Sequence, residues 1–236
     1  MMRLYYFKEL LKSEIPVLRE YILESVKNLE DKQQTLDSEF RSVLATINDA
    51  EQSQYMIDNF LDDNLKYYKG FPSYLYESSV LISYSFFESS LYKICQLTRL
   101  DFNKRNETVP IANEPKKSYI HDSKGYLEKT IGLSLSKKEA TWKKLDKLRD
   151  LRNFIAHSNM DLRRTKNPTD RAVKKETIAY LNRVFTKCIR IDYGQKYKID
   201  KSDLVIKQLD LIEEYLYFVI DTFLVRYGCD TTQYKH

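Results

Sequence analysis

The stretch "LDKLRDLRNFIAHSN", residues 145–159, has the three- and four-residue spacing of apolar side chains that is typical of an amphipathic helix. At 100° per residue its apolar side chains, with Trp142 before them, occupy one arc of the helix. Arg152 lies inside this apolar arc, whereas Asn153 and His157 lie just past its edge. The members of the apolar arc are Trp142, Leu145, Leu148, Leu151, Ile155 and Ala156.

An arginine on an apolar arc needs a physical reason, because burying a charge without a partner is costly. Arg152 and His157 are about 140° apart around the helix and about 7.5 Å apart along it, so they converge poorly on one straight helix. If the surface packs against its own copy across a two-fold axis, two arginines and two histidines can line one cleft. The spacing therefore predicts a homodimer in which the apolar arc is partly the interface.

The rest of the chain also indicates long helices. Five glycines and five prolines in 236 residues are few for a sandwich or a barrel, so the predicted fold class is all-α. Residues 14–69 have helical periodicity, with a second helix expected to begin at Asp37 or Ser38 and to be stopped by Gly70 and Pro72. We expect residues 1–72 to form an added N-terminal helical hairpin and residues 73–236 to form the main helical domain.

A central buried helix is predicted from Ser73 to about Leu100. Glu88 lies at the edge of its apolar face, where a carboxylate needs a partner, and an arginine elsewhere in the chain would serve. That apolar face consists of Val80, Tyr84, Phe87, Leu91, Ile94 and Cys95.

Local signals divide the second half of the chain. Ser136 and Glu139 have the spacing of a capping box, which predicts the start of the helix that carries Arg152. The stretch "CIRIDYGQKYKID", residues 188–200, alternates around a tyrosine and a glycine as a small β-hairpin does. Further expectations are a loop at Asn167 and Pro168, a short helix from Thr177 to Phe185, and a closing helix from Ser202 or Asp203 to about Tyr227.

Charge is concentrated around the same helix. Residues 136–175 hold thirteen Lys or Arg against five Asp or Glu, in a chain of net charge +5. Such a zone suits a polyanion, because neutralising phosphates releases counterions, although a solvated helical face gives the same pattern. If the partner is RNA, we expect Lys147, Arg149, Arg163 and Arg164 to contact it.

Other features exclude classes of protein. No run approaches the ~20 apolar residues of a membrane span, and "MMRLYYFKELLKSEIP", residues 1–16, lacks the apolar core of a signal peptide, so we expect a cytoplasmic protein without a membrane partner. Cys95, Cys188 and Cys229 have no metal or disulfide spacing and are interpreted as core thiols. His121 matches no constellation and is interpreted as a loop residue.

The segment "RNFIAH", residues 152–157, resembles the Arg-x4-6-His motif of the HEPN superfamily, in the form with a polar residue directly after the arginine. With its flanks it is similar to RiboL-PSP-type and related bacterial HEPN proteins of defence and toxin systems. The resemblance covers roughly residues 74–227 and includes a glutamate in the preceding helix, "YSFFESSL", residues 84–91. It implies a HEPN-like helical bundle.

The resemblance also implies an activity: a metal-independent endoribonuclease with a composite cleft in a homodimer, needing no cofactor. His157 would exchange a proton with the ribose 2′-hydroxyl or the leaving 5′-oxygen. Arg152 would stabilise the charged phosphorane, Asn153 would orient the imidazole or the phosphate, and Glu88 would support Arg152. Such a protein would be the toxin or effector of a bacterial defence or toxin–antitoxin system, with a cognate antitoxin as a further partner.

Alternatives stay open at this stage. Arg152 is also explained as a structural partner of Glu88, and His157 as a cation at a helix end, where it suits the dipole. A non-catalytic HEPN module that binds RNA, nucleotide or protein, or an assembly protein, fits the same sequence. Some toxins of the superfamily have a tyrosine two residues after the histidine that a cognate antitoxin nucleotidylates; this position is Asn159, so that silencing is not supported.

Overall fold

A computed structural model describes residues 2–47, 49–103 and 120–227. Within these ranges the chain is mainly helical, with one two-stranded antiparallel sheet. The helices are α1 (Met2–Leu44), α2 (Ala50–Leu65), α3 (Phe71–Asn103), α4 (Ile120–Gly125), α5 (Glu139–Ser158), α6 (Pro168–Val184) and α7 (Asp203–Arg226). The strands are β1 (Ile189–Tyr193) and β2 (Lys196–Ile199). The prediction of a helical fold with one small β-hairpin is confirmed.

The core is built around α3, which packs against α1, α5 and α7. Every member of the predicted apolar face of α3 is buried, because the 3.6-residue period keeps those side chains on one side of the helix. Helix α7 also packs against α1 and α5 and buries Gln208, whose Nε2 donates to the Val80 carbonyl oxygen at 3.1 Å. Cys95 and Cys188 are buried core thiols as predicted, and Cys229 lies outside the described residues.

The N-terminal segment differs from the prediction in where its helices divide. Helix α1 continues through Asp37 and Ser38 to Leu44, so the expected second start there is wrong. Ser38 Oγ donates back to the Thr35 carbonyl oxygen instead of capping a new helix. The second helix begins at Ala50, where the Asp49 side chain accepts from the Glu51 N–H.

Helix α1 joins two parts of the molecule. Its buried residues between Leu4 and Val26 belong to the same core as α3 and α7. Farther along, Phe40 stacks on Phe60 of α2, with ring centroids 4.0 Å apart. The division of the chain at residue 72 stays a prediction.

Gly70 and Pro72 do not stop the helix that precedes them. Residues Lys66–Gly70 form a π-helical turn that leads directly into α3, and the Phe71 N–H donates to the Lys66 carbonyl oxygen five residues earlier. Widening one turn in this way lets the helical chain pass a glycine and a proline without ending. The expected break is therefore wrong.

Two further local predictions are corrected. Ser136 forms a short 3₁₀ turn with Lys138 and caps nothing, and Glu139 Oε2 accepts instead from Lys124 Nζ at 2.6 Å. Asn167 and Pro168 begin α6, because the Asn167 side chain accepts from the Thr169 N–H and proline suits a first helical turn. Helix α6 is consequently longer than the short helix expected after it.

The β-hairpin supports the loop that follows α5. Strands β1 and β2 pair in antiparallel register with Ile189 opposite Ile199. The N–H of Tyr197 donates to the Met160 carbonyl oxygen at 2.9 Å, and that of Leu162 donates to the Gln195 carbonyl oxygen at 3.1 Å. The hairpin therefore holds residues 160–162 directly after the helix that carries His157.

Candidate functional site

Helix α5 packs its apolar arc into the chain's own core. Leu145, Leu148 and Leu151 are fully buried, and α5 contacts α3, α6 and α7. The interpretation of this arc as a dimer interface is therefore wrong, because its side chains already have partners within one chain. Ala156, placed on the same arc by helical spacing, is exposed. The homodimer itself stays a prediction.

Arg152 on α5 contacts Glu88 on α3. Its Nη2 lies 3.4 Å from Glu88 Oε2, and its Nη1 donates to Asn153 Oδ1 at 2.9 Å. The side chains of Arg152 and Glu88 are 29% and 13% exposed. The structure thus brings Arg152, Asn153 and Glu88 together, and the pairing of an arginine with this carboxylate is confirmed.

Burial dominates the electrostatics of Glu88. Loss of water raises the pKa of its carboxyl above the ordinary value of 4.5, although Arg152 and, more weakly, Arg149 oppose the rise in pKa. Proton uptake at Glu88 would remove the negative charge that attracts the Arg152 guanidinium. The protonation state of Glu88 on α3 therefore alters the electrostatic environment of Arg152 on α5.

Replacing Glu88 by glutamine should change how stability depends on pH. A carboxyl whose pKa is raised by folding stabilises the fold below the unfolded-state pKa, and this contribution is lost as the pH rises through the folded-state value. Relative to wild type, the free energy of unfolding of Glu88→Gln should therefore be larger, and the variant more stable, at pH 7 than at pH 4, measured by urea denaturation. Exposed Glu24 on α1 gives the matched control, Glu24→Gln. An equal difference for Glu88→Gln at both pH values would contradict this.

His157 occupies the last turn of α5 and is exposed. Among the described residues it has no hydrogen bond or ion pair, and so none to Arg152, Asn153 or Glu88. Helix α5 then ends at Asn159 with φ 48°, whose N–H donates to the Ile155 carbonyl oxygen. The imidazole is accessible, but within one chain the structure does not assemble it with the arginine cluster.

Two of the cations expected to bind RNA are paired with neighbouring carboxylates. Arg149 lies 3.0 Å from both Asp146 and Asp150, and these pairs raise the pKa of its guanidinium against the effect of burial. Lys147 Nζ lies 3.6 Å from Asp150 Oδ2. The local positive charge on this face of α5 is therefore smaller than the count of lysines and arginines indicates.

Arg163 and Arg164, the other two cations expected to bind RNA, lie on the 3₁₀ turn Leu162–Arg164. Arg163 Nη2 is 2.7 Å from Asp161 Oδ2, and this hydrogen bond lowers the pKa of Asp161 to about 2. Arg164 is exposed, and its side chain has no hydrogen bond or ion pair among the described residues. Among the four cations expected to bind RNA, Arg164 is therefore the one most available to an anion.

Lys174 on α6 was not found from the sequence. Its Nζ lies 2.8 Å from the Oγ of Ser158, the residue after His157, and 2.7 Å from Thr165 Oγ1. Lys174 is one of thirteen cations in the basic segment, and no local pattern distinguishes it. Only the packing of α6 against α5 places its ammonium at the end of α5.

His121 is on helix α4 and not in a loop, which corrects the sequence interpretation. Its Nε2 lies 2.7 Å from Asp146 Oδ1, and its ring meets Trp142 edge-on at 5.6 Å between centroids. His121 is therefore held at the opposite end of α5 from His157.

In the described parts of the chain no helix is both long and apolar enough to cross a membrane. Across those same residues no group of three or more His, Cys, Asp or Glu side chains is placed to hold a metal ion. No protein-family model, curated protein or solved structure matches the chain. Membership of the HEPN superfamily consequently stays a prediction that depends on residues 152–157 and their flanks.

Proposed function

We propose that this protein is a metal-independent endoribonuclease of HEPN type, acting in the cytoplasm as a homodimer and serving as the toxin or effector of a defence or toxin–antitoxin system. The observation that carries the proposal is the exposed imidazole of His157, which has no hydrogen bond or ion pair to any described residue, at the end of the helix that also carries Arg152 and Asn153. A cognate antitoxin would be a further partner of such an effector.

The proposed reaction uses side chains of this helix from two copies of the chain. His157 accepts the proton of a ribose 2′-hydroxyl, whose oxygen attacks phosphorus while the bond from phosphorus to the 5′-oxygen breaks. A second imidazole donates a proton to that 5′-oxygen, and the products are a 2′,3′-cyclic phosphate and a 5′-hydroxyl. Arg152 stabilises the charge that develops on the phosphorane oxygens.

The proposed reaction needs a second imidazole, and we assign it to the His157 of a second copy of the chain. Arg152 and His157 lie on different sides of α5, and no hydrogen bond joins them in the part of the chain that the structure describes. Two copies related by a two-fold axis would place the His157 of each near the Arg152 of the other. Because the apolar arc of α5 is buried, the contact between copies must use another surface.

The end groups of the products test the reaction class. Purified protein is incubated with a labelled single-stranded RNA in EDTA, and we expect cleavage that leaves 2′,3′-cyclic phosphate and 5′-hydroxyl ends. The same oligonucleotide with 2′-O-methyl riboses is the control and should remain intact, because it has no attacking hydroxyl. Cleavage that yields 5′-phosphate ends, or that requires a divalent cation, would eliminate this mechanism.

A second candidate is a non-catalytic module that binds RNA, nucleotide or a partner protein. It is favoured by the Arg152–Glu88 contact, since a purely structural arginine would make the same ion pair between two core helices. The two candidates differ in one result: the module binds RNA without cutting it, and His157→Ala leaves that binding unchanged.

A further inference from the structure

The loop after α5 is crossed by a lysine from another helix. Lys174 Nζ donates to Ser158 Oγ and Thr165 Oγ1, and it lies 4.8 Å from the centroid of the Phe154 ring. Ser158 and Thr165 are both buried, so the ammonium is held by groups that are themselves fixed. Two hydrogen bonds therefore fix the position of the Lys174 ammonium.

This ammonium forms no ion pair with any described residue, although Asp170 acts on it from a longer distance. Over residues 2–47, 49–103 and 120–227, no carboxylate oxygen lies within 4.0 Å of Lys174 Nζ, whereas Lys147, Arg149 and Arg163 each have such a partner. Burial lowers the pKa of Lys174, and Asp170 on the same helix only partly opposes this. A cation that has lost water without gaining a counter-ion is stabilised when an anion binds to it.

A second cation lies one helical turn before Lys174. Arg171 Nε donates to the Thr165 carbonyl oxygen, while its Nη1 and Nη2 groups have no acceptor among the described residues. The exposed guanidinium of Arg164 belongs to the same loop. Three cationic groups therefore lie at residues 158–165; each guanidinium keeps most of its N–H donors available, and the ammonium of Lys174 keeps one of its three.

This arrangement is held in place before any ligand binds. The β-hairpin fixes the loop through the N–H groups of Leu162 and Tyr197, and Asp161 accepts from the N–H and the guanidinium of Arg163. An anion site whose donors are already ordered binds with a smaller entropy cost than one built from mobile side chains.

We propose that Lys174 and Arg171 bind a backbone phosphate of RNA beside His157, with Ser158 and Thr165 positioning the ammonium. The identity of the ligand as RNA rests on the proposed function. The site itself follows from two cations, without carboxylate partners among the described residues, that converge on Thr165, one of them bonded to the residue that follows His157. Phosphate oxygens suit both groups, because an ammonium and a guanidinium each donate charge-assisted hydrogen bonds.

A structural role for Lys174 would give different results. A lysine near the last carbonyl groups of α5 also stabilises the negative end of that helix dipole. In that case its removal would lower thermal stability and would leave the salt dependence of RNA binding unchanged. The number of counter-ions released on binding is therefore the informative quantity.

The experiment measures binding of a fluorescent 2′-O-methyl oligoribonucleotide by anisotropy between 50 and 200 mM salt. This probe cannot be cut by 2′-hydroxyl attack, so binding is separated from cleavage. We expect Lys174→Gln to weaken binding about tenfold at the lowest salt, as for loss of one charge-assisted hydrogen bond. We also expect it to reduce the slope of log K against log salt by about 0.7, the loss of one single-strand phosphate contact.

Three variants complete the test. Exposed Lys175 is the next residue on α6, so Lys175→Gln makes the same charge change and should alter the slope less. Lys174→Arg should keep the slope, and Arg171→Gln should reduce it even if Lys174→Gln proves unstable. The proposal is overturned if the wild type does not bind the probe, or if Lys174→Gln and Arg171→Gln match Lys175→Gln. If the slopes change as expected while unmodified RNA is not cleaved, the nuclease proposal fails and this site stands.

Discussion

His157→Ala should reduce RNA cleavage in EDTA by about 10²- to 10⁴-fold, the range in which a positioned general acid or base contributes to catalysis. The imidazole of His157 is exposed and free of partners in the described residues, so its loss should leave the fold intact. The measurement is the initial rate on a labelled RNA, with thermal unfolding recorded in parallel. His121→Ala is the matched control, because His121 is also largely exposed but is held by Asp146 far along α5.

Equal rates for the His157 and His121 variants would remove His157 from the mechanism. Mixing wild-type protein with an excess of His157→Ala protein then tests the composite cleft. If the reaction takes one imidazole from each copy, mixed dimers are inactive and the rate falls with the square of the wild-type fraction. A rate that falls in simple proportion to the wild-type fraction would place the reacting groups within one chain.

Leu148→Ala should lower the free energy of unfolding by about 2–5 kcal/mol, the range for truncating a fully buried leucine. Leu148 lies where α5 packs against the rest of the core, so its truncation leaves a cavity that α3 and α7 fill only in part. Urea denaturation measures the change. The loss should be independent of protein concentration, because the cavity lies within one chain.

Ala156→Gln provides the control for that experiment. Helical spacing places Ala156 on the same apolar arc, but the structure exposes it, and we expect a change within about 0.5 kcal/mol. The result would be different if the apolar arc were a dimer interface. Leu148→Ala would then unfold like the wild type but would be monomeric at protein concentrations at which the wild type is still dimeric.

The sequence was most informative where one helix or one hairpin carried the signal. The buried face of α3, the turn at Tyr193 and Gly194, and the extent of α7 follow from the period of apolar residues and from local turn chemistry. The need for a partner at Glu88 was predictable for the same reason, since a carboxylate on a buried face requires one.

Predictions of where helices begin and end were wrong where the residue concerned makes a different contact in the folded chain. Ser38 bonds within α1 instead of starting a helix, and Glu139 pairs with Lys124 instead of closing a capping box. Gly70 and Pro72 are passed by a π turn, because widening one turn accommodates both without ending the helix.

The sequence alone determined that Arg152 lies on the apolar side of its helix and that His157 does not, because both follow from 100° per residue. The tertiary structure decided that this side is covered by the chain's own core, that Glu88 is the carboxylate facing Arg152, and that Lys174 reaches the end of α5. Those outcomes depend on which helices pack together across many residues of sequence, and the periodicity of a single helix carries no information about its neighbours.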